Sequence, residues 1–117
     1  MDQKFDLVYL LIDHNFTIET SVVLQSQILD KIRVQHSMGL NVALITSVKD
    51  FGLFNGLIQD GSIPKNIKIF TFLDINKYHN ILKAIKVLKN VDREYGIRWI
   101  YSRSIWSALA FRFFRVF

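Results

Sequence analysis

Residues 5–12 read FDLVYLLI, and this stretch decides the fold. It is almost continuously apolar and contains β-branched and aromatic side chains, which is typical of a strand buried on both faces of a sheet. The run is too short to cross a membrane. It therefore predicts the first strand of a parallel sheet.

Outward from this strand, the same cycle of buried strand and helix repeats along the chain. A first helix with apolar residues at helical spacing is expected to end at Met38, before Gly39. Further strands are expected at residues 42–46, 67–73 and 97–101, and further helices from about residues 50, 77 and 104. Four strands alternating with four helices predict a Rossmann-like, three-layer α/β/α domain with a parallel sheet of at least four strands.

The composition is that of one small, apolar domain. The 117 residues suffice for a single hydrophobic core, and 50% of them are hydrophobic against 21% charged. The chain has no cysteine, which removes disulfides, zinc–thiolate sites and thiol nucleophiles. We therefore expect a single domain over residues 1–117. Because the amino terminus leads into the apolar run without a cleavage signal, we expect this domain in the cytoplasm.

The net charge of +5 favours an anionic partner. Nucleotide phosphates, an anionic membrane surface and nucleic acid are the options, and nucleic acid is not expected because no motif supports it. The last helix carries Arg112 and Arg115 among phenylalanines, a face that fits either protein or the inner face of an anionic membrane. Peripheral membrane contact is therefore one of the expected options.

Polar groups follow each predicted strand, at the edge of the sheet where ligands bind in such folds. These groups are residues 13–15, Thr46 and Ser47, residues 74–76, and residues 102–104. Asp13 and His14 are candidates for a general base, with ordinary loop and capping residues as the alternative. The two other histidines, His36 and His79, are expected on helix surfaces without metal-ligand spacing.

Residues 101–104 read YSRS and are the second candidate site. The guanidinium of Arg103 and the amides at a helix start would together bind an anion, and the alternative is that Ser104 is an ordinary N-cap. No G-x-G-x-x-G, no Walker pattern and no D-x-D pair occurs in the chain. We therefore predict no bound cofactor and no metal.

Two segments resemble the amino-terminal domain of family 4 glycosyltransferases. The first is Ser26-Gln27-Ile28-Leu29, followed by Gly39 and the expected strand at residues 42–46. The second is residues 100–104, IYSRS, which is similar to the Arg-Ser segment with which many of these enzymes leave the fourth strand. The chain has residues 22–24, VVL, where many relatives carry glycine, and Asp30 where many have proline.

The resemblance implies the acceptor-side half of a GT-B glycosyltransferase, which transfers sugar from a nucleotide donor in polysaccharide or lipid-linked glycan assembly. It puts Ser26, Gln27, Arg103 and Ser104 in the cleft. A carboxyl-terminal domain usually binds the donor, so this chain would need that domain or a partner chain and would be inactive alone. Its expected ligands are a sugar acceptor and, through the missing half, a nucleotide sugar.

A non-catalytic flavodoxin-like or receiver-like binding domain is the alternative, because the same alternation of strands and helices permits it. A receiver would need clustered acidic residues after the first strand, where only Asp13 stands. A flavin site would need a hydroxyl-rich phosphate loop, of which Thr17, Thr20 and Ser21 are a weak version. A flavin-binding chain would be yellow when purified.

Overall fold

The computed structural model describes residues 4–11, 30–48, 51–59, 61, 67–102, 109, 110, 112, 114 and 115. Within these ranges the elements are, in chain order, β1 (Phe5–Leu11), α1 (Asp30–Ser37), β2 (Val42–Val48), α2 (Phe51–Gln59), β3 (Lys68–Leu73), α3 (Lys77–Glu94) and β4 (Ile97–Ser102). The described residues from 109 to 115 are helical as well. Each predicted strand is confirmed, with ends that differ by one or two residues.

The four strands form one parallel sheet in the order β3-β2-β1-β4. The chain moves outward from β1 through β2 to β3 and then returns across the sheet to β4, on the other side of β1. This confirms the Rossmann-like fold, whose order reverses beside the first strand. It differs from the flavodoxin-like order, in which the third strand pairs with the first.

Two hydrophobic clusters, one on each face of the sheet, make up the core. Ile32 of α1 and Phe54 of α2 pack with Tyr9, Leu11 and Leu44 on one face. The other face is covered by α3 and by Ala110, and α3 buries residues at helical spacing, namely Ile81, Ala84, Leu88 and Val91. The helices change face when the chain reverses direction, as right-handed crossovers require.

Glycines end two of the helices, as the sequence predicts for the first helix and for the one before β4. Gly39 follows α1 with a φ of 90°, and Gly96 follows α3 with a φ of 85°, a backbone region that side chains with a Cβ avoid. Asn76 caps the start of α3, where its side chain accepts a hydrogen bond from the His79 backbone N–H.

Two placements in the sequence prediction are wrong. Ser102 is the last residue of β4 rather than the first residue after it. Thr46 and Ser47 do not follow β2 but lie within it, because the pairing with β3 continues through Thr71 and Phe72 to Val48 and Leu73. Both side chains are fully buried. Their hydroxyls find acceptors inside the fold, so a polar side chain does not end the strand here.

Candidate functional site

The carboxyl ends of β1 and β4 lie side by side, at the point where the strand order reverses. Leu10 pairs with Ser102 in the register of the two strands. The chain after β1 leads to α1 on one face, whereas the helical residues after β4 pack on the opposite face. In open parallel sheets such a reversal is expected to leave a crevice outside the strand ends, and ligands bind there.

The six residues predicted for the site all lie outside the described residues: Asp13, His14, Ser26, Gln27, Arg103 and Ser104. Their roles stay predictions. What the structure describes is the frame around them, since Asp13 comes two residues after the end of β1 and Arg103 directly follows the last residue of β4.

A buried polar cluster, which consists of Ser47, Asp74 and Asn80, lies at the carboxyl ends of β2 and β3. The Asp74 carboxylate is 9% exposed. Its Oδ1 accepts a hydrogen bond of 2.8 Å from Asn80 Nδ2, and its Oδ2 accepts one of 3.4 Å from Ser47 Oγ. A buried carboxylate is costly without such donors, so the cluster keeps Asp74 in one orientation.

Asn80 also fixes the connection from β3 to α3. Its Oδ1 accepts from the Ile75 backbone N–H at 3.2 Å, while the Asp74 backbone N–H donates to Val48 O at 2.9 Å. The side chain of Asn80 is fully buried. Both ends of its amide are therefore engaged, and the turn from β3 to α3 has one defined path.

A second group of side chains flanks β4 on the α1 face. Tyr9 Oη donates to Gln35 Oε1 at 2.6 Å, and the rings of Tyr9 and Tyr101 lie 5.0 Å apart. Lys31 Nζ lies 5.3 Å from the centre of the Tyr101 ring. A cation over an aromatic ring is held near it, so Lys31 brings positive charge to the strand that leads into Arg103.

Burial raises the pKa of the Tyr9 hydroxyl above its ordinary value, and the hydrogen bond to Gln35 opposes that effect. The neighbouring Tyr101 raises this pKa further. Tyr9 is thus a neutral donor at physiological pH rather than an acid or base, and its part is to join β1 to α1.

Sequence reasoning missed four residues of these clusters: Asn80, Tyr9, Gln35 and Lys31. A signal for Asn80 exists, because it lies one turn before Ala84 on the apolar face of α3, where an amide needs buried partners. Lys31 and Gln35 are likewise one turn apart on α1 and therefore share a face. The two histidines expected on helix surfaces, His36 and His79, lie on α1 and α3 and are partly buried.

Within the part of the chain that the structure describes, no three His, Asp or Glu side chains come together as a metal site would require. In the same ranges no helix is long and apolar enough to cross a membrane. The predictions of no metal and no bound cofactor stay predictions.

Comparisons with known proteins give no relative from which a function could be transferred. No family model, no curated protein and no solved structure matches the chain. Function must therefore be argued from the residues and from their geometry.

Proposed function

We propose that this chain is the acceptor-side half of a glycosyltransferase that uses a nucleotide sugar to build a polysaccharide or a lipid-linked glycan. The donor would bind to a second domain or a partner chain. The observation that carries the proposal is the reversal of strand order between β1 and β4, which brings the ends of these two strands together.

Both segments with candidate chemistry leave the sheet at this reversal. Asp13 and His14 follow β1, and Arg103 and Ser104 follow β4, the strand that pairs with β1. Inverting transfer from a diphosphate donor uses a base and an anion-binding group, and here candidates for both follow neighbouring strands. The Ser26-Gln27 segment lies in the sequence between β1 and α1.

The chemistry assigned to these residues is a displacement at the anomeric carbon. The acceptor hydroxyl oxygen forms the new bond, the bond from that carbon to the diphosphate breaks, and the nucleoside diphosphate leaves. His14 or Asp13 would take the hydroxyl proton if configuration inverts, and no such base is needed if it is retained. Arg103 would stabilise the negative charge of the leaving diphosphate or of an anionic acceptor, and Lys31, over the Tyr101 ring, adds positive charge beside β4.

A flavodoxin-like or receiver-like module has less support. In those folds the third strand lies beside the first, whereas β3 of this chain pairs with β2. The purified chain is therefore expected to be colourless, and an absorption spectrum with flavin bands would favour that alternative.

The proposal is tested by reconstituting transfer. The chain is purified alone and with the polypeptide encoded directly downstream, and release of nucleoside diphosphate from UDP- and GDP-sugars is measured with a lipid extract as acceptor. We expect release only from the mixture, with kcat lowered about 100-fold by Arg103→Ala. Arg98→Ala, an exposed arginine near the amino-terminal end of β4, is the matched control. Equal rates for the two variants, or a folded mixture that transfers nothing, would contradict the proposal.

A further inference from the structure

The outward face of α3 is basic along its length. Lys83, Lys86 and Arg93 are exposed and lie on one side of the helix, opposite the residues that pack on the sheet. His79 begins this stripe, which runs for roughly 21 Å at the rise of an α-helix. The nearest carboxylates along the helix, Asp92 and Glu94, are each turned about 100° away from Arg93.

Exposed apolar side chains lie beside this stripe, at the amino-terminal end of α3. Ile75, Tyr78 and Leu82 are 54%, 72% and 65% exposed. A residue in the position of Ile75 often packs on the fourth residue of the helix, but that residue here is Asn80, which is buried with Asp74. Ile75 therefore stays in solvent, close to the exposed pair Tyr78 and Leu82, which are one helical turn apart.

These six residues, which we name the α3 surface, combine exposed apolar side chains with a basic stripe, and the acidic residues of α3, Asp92 and Glu94, lie only in its last turn: Ile75, Tyr78, Leu82, Lys83, Lys86 and Arg93. Single exposed apolar residues need no explanation. Three exposed apolar residues beside a stripe of positive charge do need an explanation. An anionic membrane would supply one, because lysine attracts anionic lipid headgroups and because tyrosine and leucine partition into the headgroup layer. Among the described residues, neither Lys83 nor Lys86 has a carboxylate within salt-bridge distance.

We infer that the α3 surface docks on an anionic lipid bilayer. Charge complementarity favours this partner over a second copy, since a symmetric pair would place one basic stripe against the other. A nucleic acid would satisfy the lysines but would leave Ile75 and Leu82 without an apolar partner. The inference goes beyond the proposed function, because binding to a bilayer requires no nucleotide sugar.

The position of this surface also matters for the crevice. α3 begins directly after β3, so its apolar end lies at the same edge of the sheet as the ends of β1 and β4. A bilayer contacted by Tyr78 and Leu82 would lie beside that edge. If the proposed function holds, an acceptor carried on a membrane lipid would reach the crevice without leaving the bilayer.

Co-sedimentation with vesicles tests the inference. The full chain is mixed with vesicles of phosphatidylcholine, or of equal parts of phosphatidylcholine and phosphatidylglycerol, at low and high salt. We expect binding to the phosphatidylglycerol vesicles alone, weakened by salt. Lys83→Gln with Lys86→Gln is expected to reduce the partition coefficient about 10-fold. The charge-matched control, Lys4→Gln with Lys68→Gln, changes two exposed lysines at the opposite edge of the sheet and should leave binding unchanged.

A second pair of variants separates the apolar contribution from net charge. Leu82→Gln is expected to weaken binding at both salt concentrations, whereas Met38→Gln, in the turn directly after α1 and 72% exposed, should not. Equal losses for the two lysine pairs, or no sedimentation with either vesicle, would overturn the inference. Binding to duplex DNA without binding to vesicles would also overturn it and would indicate a nucleic-acid surface instead.

Discussion

Replacing Asn80 with alanine is expected to lower the free energy of unfolding by about 2–4 kcal/mol. The change removes the donor to Asp74 Oδ1 and the acceptor for the Ile75 backbone N–H, and Asn80 is fully buried. A buried carboxylate without its donor costs more than the net value of one hydrogen bond, because the lost solvation is not restored. Urea denaturation followed by far-UV circular dichroism measures the change.

Asn90→Ala is the matched control, since it makes the same substitution in the same helix at an exposed position. Its amide oxygen accepts a hydrogen bond from Arg93 at the surface, and alanine is the better helix former, so the stability should change by less than about 0.5 kcal/mol. If the two variants lose the same stability, the polar cluster does not hold the connection between β3 and α3.

Leu44→Ala is expected to lower the free energy of unfolding by about 3 kcal/mol. Leu44 is fully buried in β2, between Tyr9 of β1 and Ile69 of β3, and it belongs to the cluster under α1 and α2. The loss combines the transfer energy of the removed methyl groups with the cavity that they leave.

Leu82→Ala makes the same change at a side chain that is 65% exposed, and it should be close to neutral because little apolar area returns to water. The two variants are compared by their midpoints in urea. A Leu44→Ala protein as stable as the Leu82→Ala protein would contradict the assignment of β2 to the centre of the core.

Much of the fold could be predicted from local patterns. Residues 7–11, for example, are apolar on both faces, which is typical of a strand covered by helices on both sides. Gly39 and Gly96 mark helix ends because a positive φ suits glycine. The end of β2 was harder to predict, because Thr46 and Ser47 have the polar side chains of loop residues. Only their pairing with β3 and the hydrogen bond from Ser47 to Asp74 show that they belong to the strand.

Apart from the local bonds of Asn80, the polar clusters could not be predicted in the same way, because their bonds join positions far apart in the sequence. Tyr9 and Gln35 are 26 residues apart, and Ser47 and Asp74 are 27. Local spacing contains no information on such pairs. The strand order, by contrast, puts the carboxyl ends of β1 and β4 side by side, and the predicted site residues follow these two ends in the sequence. Four of these residues, namely Asp13, His14, Arg103 and Ser104, lie outside the described ranges, so their roles stay predictions.

The central claim is that a sugar acceptor binds where β1 and β4 end. The most direct measurement is a nuclear magnetic resonance titration of the isotope-labelled chain with a short-chain isoprenyl phosphate that carries one hexose. We predict that the backbone amides of Leu11, Tyr101 and Ser102 shift, that those of Asn41 and Gly96 at the opposite edge do not, and that Arg103→Ala abolishes the shifts. Shifts centred on Asn41 and Gly96, or an Arg103→Ala titration identical to that of the wild type, would contradict the claim.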